Sequence, residues 1–467
     1  MELHLILDRS RRLPLATQIA HGIRDAIFTQ QLSPGTRLPP TRELAQRLQV
    51  ARMVVVEAYE WLVADGYAET RPGSGTFIAA SLVLPHLAPS SLGEPARRTD
   101  LLPEKAVAID FRPGLPALDL FPRQVWKNAL ARALADVETS QLGYGPVEGL
   151  PRLRRVIAQY VARARGLPVT PDRVIITVGT AQAIDLLLRT LAPVGHVAIE
   201  DPGSEPVYRL LHLEGIPVES IPVDENGMVV NRLPTGDNAP RLVYVTPSHQ
   251  YPTGWTMSLD RRMELLTWAE RQDAIIIEDD YDSEFRFDRQ PPIALAALDT
   301  FQRVVYVGTF SKTMFPGLRL GYCVLPERLI PRLLDLKWFS DRCGPVIEQL
   351  ALAEWLENGI LERHIRKMRR IYAQRRRILL ENLEQYFGSH IQVQGVPAGM
   401  HILTSVDVGL NETQLASRAL EAGVKVYPAG IGFTNHLPAL PGIIFGFGHL
   451  SISAILRGVE NLAGAWT

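Results

Sequence analysis

One interruption governs how this chain can fold. Residues 81–108 carry Pro85, Pro89, Ser90, Ser91, Gly93, Pro95, Arg97, Arg98 and Pro103, a composition with neither helical nor strand periodicity. Such a stretch reads as a linker, so the 467 residues divide into separate domains at 1–80 and 109–467. That length is enough for two or three cores.

On the N-terminal side, Leu15, Ile19, Ile23 and Ile27 recur at helical spacing. Ser33-Pro34-Gly35 ends that helix. Thr41 is placed to N-cap a short second helix beginning Arg42-Glu43-Leu44. A third helix is expected over about 52–64, with Val55, Val56, Tyr59 and Leu62 inward. Two short strands, 67–70 and 76–79, flank Arg71-Pro72-Gly73-Ser74-Gly75. Three helices and a glycine-tipped hairpin make a winged helix-turn-helix pattern. In that arrangement Thr41, Arg42 and Arg52 stand at the starts of the second and third helices. A groove-facing arginine there can pair bidentately with guanine. Gly73 and Gly75 let the wing approach phosphates closely. Residues 1–80 hold nine Arg, no Lys and eight acidic residues, so the case rests on placement rather than bulk charge. Protein contact is the other use of such a domain.

The whole chain is 46% hydrophobic and 21% charged with a formal net charge of −1, an ordinary globular balance. Cys323 and Cys343 are its two cysteines, too few for a disulfide framework and consistent with a reducing cytoplasm. The N-terminal residues lack a signal-peptide core. No apolar run approaches the roughly 18 residues of a membrane span.

From about Ile109, apolar runs at 174–178, 197–199, 242–245, 275–277, 304–307 and 322–325 alternate with amphipathic helical stretches. This predicts an α/β domain with a mostly parallel sheet, followed after about residue 331 by a smaller α+β C-terminal lobe. Two runs end in reactive groups. Ile275-Ile276-Ile277 leads to Glu278-Asp279-Asp280-Tyr281, and Val307-Gly308-Thr309-Phe310-Ser311-Lys312 is followed by Arg319. A lysine amine held neutral can form a Schiff base with an aldehyde. A carboxylate can keep a pyridine nitrogen protonated. A phenol can tune the imine. Thr177-Val178-Gly179-Thr180-Ala181 turns from strand to helix, where backbone N–H groups and an arginine suit a phosphate. Together these are the parts of a pyridoxal 5′-phosphate (PLP) site.

On these motifs, residues 109–467 resemble a fold-type I PLP aminotransferase. The resemblance implies that Lys312 is the Schiff-base lysine, that Asp279 pairs with the pyridine nitrogen, and that Tyr281 bonds the ring oxygen. It implies that Arg319, Thr309, Ser311, Gly179, Thr180 and Ala181 hold the phosphate. Tyr144 resembles the residue that reaches the partner subunit's cofactor, which implies a homodimer. Residues 14–79, with Leu32-Ser33-Pro34-Gly35-Thr36-Arg37-Leu38-Pro39-Pro40-Thr41-Arg42-Glu43-Leu44-Ala45 and Gly73-Ser74-Gly75-Thr76-Phe77, resemble the GntR-type winged helix. The two joined resemble the MocR/GabR regulator subfamily, in which the aminotransferase-like domain senses an effector.

Departures from the family pattern are specific. Tyr251 stands where aminotransferases carry an asparagine, and Ser204 where an aromatic ring stacks on the cofactor, with Tyr208 as a substitute. Gly430 and Ile431 occupy the region where a substrate-carboxylate arginine is expected, with Arg209 or His436 as replacements. In the helix-turn-helix, Gln49-Val50-Ala51-Arg52-Met53-Val54 lacks two usual hydroxyls. Arg363, Arg366, Lys367, Arg369, Arg370, Arg375, Arg376 and Arg377 form a basic run, read as a solvated helix face or a second DNA track. His249 and His401 read as rim or core histidines, and no metal site is expected. The expectation is a cytoplasmic transcription regulator binding double-stranded DNA with two half-sites. Its effector would be PLP itself or an amine. The alternative is a working aminotransferase with an accessory winged helix.

Overall fold

The chain divides into two units, Met1–Pro103 and Glu104–Thr467. The computed structural model describes residues 5, 7–9, 13–29, 31–80, 107–191, 195–288, 290–432 and 440–466, with Ile431 by its backbone alone. Most of the expected linker therefore lies outside the described residues.

The first unit contains α1 (Leu15–Phe28), α2 (Thr41–Leu48), α3 (Arg52–Ala64), β1 (Ala68–Arg71) and β2 (Gly75–Ile78). Ile19, Ile23 and Ile27 form one stripe of α1, buried together with Val55, Tyr59 and Leu62 of α3. Val56 is only half-buried. Gln49 turns the chain between α2 and α3 in the left-handed conformation, φ 51°, and its carbonyl accepts from Arg9 Nη2 at 2.8 Å. Thr41 is not the cap expected of it. Pro40 occupies the N-cap position, and no side chain caps α2. The Thr41 hydroxyl instead accepts from Arg52 Nε at 3.2 Å. β1 and β2 pair antiparallel from Ala68↔Ile78 to Arg71↔Gly75.

The second unit starts with β3 (Ile109–Asp110). Its large sheet contains β4 (Val174–Thr177), β5 (Val197–Asp201), β6 (Val218–Asp224), β7 (Gly227–Met228), β8 (Leu242–Val245), β9 (Ile275–Asp280), β10 (Val304–Thr309) and β11 (Gly321–Val324). Their order is β4-β11-β10-β9-β8-β5-β6-β7. β10, β9, β8, β5 and β6 run parallel, while β11 is antiparallel to both its neighbours. β8, β9 and β10 are buried at every position, as continuous apolar runs in a sheet covered on both faces require. Their carboxyl ends, at residues 245–246, 279–280 and 309, come out along one edge of the sheet, where open α/β sheets place ligands.

The C-terminal lobe has β12 (Ile391–Val393), β13 (His401–Val406), β14 (Val424–Lys425), β15 (Tyr427–Pro428) and β16 (Gly442–Gly446). β12-β13-β16-β15 is an antiparallel sheet. β14 pairs parallel with β3, so the first strand of the unit joins its last lobe. A two-residue strand carries no period to read. Gly446 N donates to the Phe111 carbonyl at 2.8 Å, which fixes the chain leading to Gly114.

The basic run lies on the 28-residue helix Ile360–Phe387 and is partly committed to packing. Arg375 is buried and donates to the Gly448 carbonyl. Arg369 Nε donates to the Glu284 carbonyl at 2.8 Å. Arg363, Arg366, Lys367, Arg370 and Arg377 are exposed. Among the described residues, no helix is long and apolar enough to cross a membrane.

Candidate functional site

A cavity of about 640 Å³ opens at the carboxyl ends of β8, β9 and β10 and at the start of the helix Thr180–Thr190. Strand alternation decides which carboxylate faces it. Asp280 points away and forms a buried ion pair with Arg165, Nε to Oδ2 2.6 Å, while the Tyr306 hydroxyl also donates to it. Asp279 lines the cavity. Its Oδ2 accepts from the Tyr244 hydroxyl at 2.7 Å, and its buried Oδ1 has no hydrogen-bond partner. Burial pushes the Asp279 carboxyl up to about 7, with the Tyr244 bond and the Lys312 charge opposing. An orphaned buried carboxylate oxygen is costly, and a cationic N–H in the cavity would satisfy it.

Lys312 meets Asp279 across this space. Burial lowers its pKa, against the charges of Asp282 and Asp279, which favours the neutral, nucleophilic amine. Its Nζ donates to the Gly114 carbonyl at 2.7 Å. A Cβ on Gly114 would stand 2.9 Å from that nitrogen and crowd the amine, in a backbone conformation (φ +72°) that already favours glycine. Gly114 and Tyr244 were not anticipated. The first sits in a Pro-Gly turn 198 residues before the lysine, and the second is one residue of an apolar run.

At the other end, Gly179 (φ +100°) leads into the helix Thr180–Thr190. Thr180, Ala181, Thr309, Ser311 and Arg319 line this end of the cavity. A Cβ on Gly179 would lie 3.3 Å from the Arg319 guanidinium, so the arginine lies across the helix start. Thr309 Oγ1 and Ser311 Oγ are 3.1 Å apart. Free helix N–H groups, two hydroxyls and a guanidinium form a cradle for a phosphate.

Ser204, Tyr251, Tyr281 and His401 also line the cavity. Tyr208 does not substitute for a stacking ring. Its hydroxyl turns back to the Glu200 carbonyl (3.3 Å) and Ser220 Oγ (3.0 Å), leaving Val207 at the wall. Arg209 lines a different surface groove, with Glu205 and His212. The side chains of Ile431 and His436 lie outside the described residues. Arg319 is the single arginine among the described residues lining the cavity. Tyr144 is not in the cavity wall of one chain. It is 79% exposed, with the Arg342 guanidinium 4.5 Å from its ring centre.

In the first unit, Arg42, Arg52, Gly73 and Gly75 are exposed and Thr41 is half-exposed. Gly73 and Gly75 have φ of +73° and +107°, conformations a side chain resists. A Cβ on Gly75 would lie 3.3 Å from Arg37 Nε. The Arg37 side chain, not anticipated at the site, therefore lies against the turn end of the wing, where Arg71 stacks over Phe77 at 4.6 Å.

Comparison with known proteins agrees with both units. A family model described as aminotransferase class I and II matches residues 113–436. Another, described as bacterial regulatory proteins, gntR family, matches residues 15–78. The probable rhizopine catabolism regulatory protein MocR of Rhizobium meliloti is 33% identical over 99% of this chain and 96% of its own length. The pyridoxine biosynthesis transcriptional regulator PdxR of Corynebacterium glutamicum is 34% identical over 96% and 95%. Among solved structures, an archaeal alanine:glyoxylate aminotransferase matches with a TM-score of 0.72 at 29% identity, covering 78% of this chain and 91% of that one. A helix-turn-helix joined to an aminotransferase fold, matched along nearly the full length of such regulators, places the chain in the MocR-type subfamily of GntR transcription regulators, DNA-binding proteins that carry an aminotransferase-like domain.

Proposed function

We propose that this regulator binds PLP through Lys312, senses a small-molecule effector in the same cavity, and acts as a homodimer on an operator with two half-sites. Residues 1–80 would bind DNA, 81–108 would link, and 109–467 would bind PLP and dimerise. The carrying observation is Asp279: a buried carboxylate with one unpartnered oxygen, facing the same cavity as a desolvated lysine amine. These residues fit PLP, whose protonated pyridine N–H would satisfy Oδ1 and whose phosphate suits the cradle at Gly179–Ala181, Thr309, Ser311 and Arg319. When bound, PLP supplies an aldehyde and an electron-withdrawing ring. Asp279 holds the proton at the ring nitrogen, Tyr281 donates to the ring oxygen, and Lys312 presents its amine to the aldehyde. Borohydride reduction of PLP-treated protein, followed by peptide mass spectrometry, tests this. The expected adduct is on Lys312, and an unmodified Lys312 would sink the reading.

Exposed apolar groups support the dimer. Phe339 is 85% exposed and Leu142 and Trp338 are exposed beside Tyr144. Gln182, in the helix that begins at the phosphate end, bonds Ser340 at 3.1 Å. In a homodimer, this patch would be covered and Tyr144 would reach the partner's cavity. Two winged helices would then face paired half-sites, with Thr41, Arg42 and Arg52 toward the groove and Gly73 and Gly75 toward phosphate. A ligand favouring one domain arrangement would shift DNA affinity by linkage. Lys312→Ala separates the two effector classes, because a response to an amine that survives it cannot pass through the lysine.

A second reading, transamination, is supported by the 2-aminoadipate transaminase of Thermus thermophilus, 30% identical over 72% of this chain. Against it, the one arginine among the described cavity residues is placed at the phosphate end, leaving no guanidinium fork there for an α-carboxylate. Turnover of an amino donor with a keto acid would favour this reading.

A further inference from the structure

Tyr281 is held by a buried pair that the proposed cofactor contacts do not use. Its hydroxyl lies 3.1 Å from His249 Nδ1. The same nitrogen lies 3.0 and 3.2 Å from the two carboxylate oxygens of Asp282. His249 and Asp282 are 3% and 1% exposed. Gly399 (φ +69°) packs against both, and a Cβ there would stand 2.0 Å from His249 Cε1 and 2.7 Å from Asp282 Oδ2. The fold therefore reserves a glycine to seat this pair.

The other ionisable groups around the pair are few. His401 lies with its ring centre 5.0 Å from that of His249, and its Nε2 is engaged by the Pro252 carbonyl at 3.2 Å. Lys312 and Asp279 both feel the Asp282 charge. Tyr251 and Tyr244 act on Tyr281.

One ring nitrogen cannot donate and accept at once. With two carboxylate oxygens in reach, Nδ1 carries the proton and the carboxylate fixes the tautomer. The Tyr281 oxygen then faces an N–H, so its own hydrogen must point elsewhere, and Tyr281 borders the cavity. We propose that His249 and Asp282 are positioning residues that keep the Tyr281 hydroxyl hydrogen turned into the cavity, toward the ring oxygen of bound PLP. This rests on the PLP reading above. Without the carboxylate, the other tautomer leaves Nδ1 bare, and the phenol hydrogen turns onto it and away from the ligand.

The test is a pH titration of the visible absorption of the PLP-loaded protein. A hydrogen bond donated to the ring oxygen favours its ionised form and lowers the midpoint. Tyr281→Phe and Asp282→Asn should each raise the midpoint by about one unit, a tenfold change in the ionisation constant. The double variant should go no further than Tyr281→Phe, since both changes remove the same bond. His249→Gln should show the same rise if Asp282→Asn does not fold. A merely structural role would lower cofactor occupancy without moving the midpoint. A wild-type midpoint in Asp282→Asn and His249→Gln, or an additive double variant, overturns the proposal. A wild-type protein with no visible band after PLP treatment instead refutes the PLP reading, and the inference with it.

Discussion

Arg52 and Asp279 stand at the ends of regular elements in the two units, and their surroundings are opposite. Arg52 opens α3 in solvent, bonded at 3.2 Å to the Thr41 hydroxyl. Asp279, next to last in β9, is under cover, with one oxygen bonded and the other without a partner. An exposed cation costs the fold little and stays available to a polyanion, at the price of salt screening. A buried carboxylate with an orphaned oxygen costs the cofactor-free fold stability, which a cationic ligand can return. The winged helix is thus built to be read from outside, and the cavity to be completed from inside.

The largest expected effect falls on the buried side. Lys312→Ala should abolish the covalent PLP adduct, read by absorbance and by mass after reduction. A persisting adduct would move the reactive amine elsewhere. On the exposed side, Arg52→Ala should weaken operator binding by about 1–3 kcal/mol if it reads a base, or reduce the salt slope by about one if it meets phosphate. Unchanged affinity and slope would remove α3 from the interface.

The contrast also predicts a pH dependence confined to the buried side. Burial pushes the folded Asp279 carboxyl up to about 7, well above the ordinary aspartate range, so the folded state binds that proton more tightly than the unfolded chain. Against the opposite slope of His401 and His364, which burial pushes down to about 3 and about 4, Asp279 should therefore cost the cofactor-free fold stability as pH rises from about 4 to about 7. Glu200 and Glu284, also pushed to about 7 by burial, add to the same slope. Asp279→Asn should flatten it and stabilise the cofactor-free protein at pH 8 by on the order of 1–3 kcal/mol. A pH dependence of stability in Asp279→Asn that superimposes on the wild type's would contradict the assignment.

Smaller effects should come from the wing and the long helix. Gly75→Ala forces a side chain to a φ of +107° against Arg37 and should cost about 1 kcal/mol, measured as a lowered melting midpoint of the N-terminal unit. Arg370→Glu should change DNA affinity by no more than about twofold, as expected of a solvated helix face. A steep loss with a reduced salt slope would restore the second DNA track.

Much of this contrast was legible because its carriers are local. Continuous apolar runs located β8, β9 and β10, and the polar residues just past them marked where the cavity opens. Alternation along β9 separates Asp279 from Asp280. What escaped was decided by tertiary contacts. Gly114 reaches Lys312 from far along the chain. Thr41 had the right chemistry for a cap, but Pro40 occupies the cap position and Arg52 engages the hydroxyl. Tyr208 matched a stacking ring in type, but helix geometry turned it toward Glu200 and Ser220. His249 looked like a core histidine because no ligand spacing surrounds it, and only the fold brings Asp282 and Tyr281 to one of its nitrogens.

A ligand on the buried lysine is expected to change what the exposed arginines do. The most direct measurement is a fluorescence-anisotropy titration on DNA from upstream of the protein's own gene, with and without PLP, using the wild type, Lys312→Ala and Arg52→Ala. Saturable wild-type binding is expected, with an affinity that shifts at least about fivefold with PLP, no such shift in Lys312→Ala, and loss of binding in Arg52→Ala. Wild-type curves that superimpose with and without PLP, on DNA bound specifically, would contradict it.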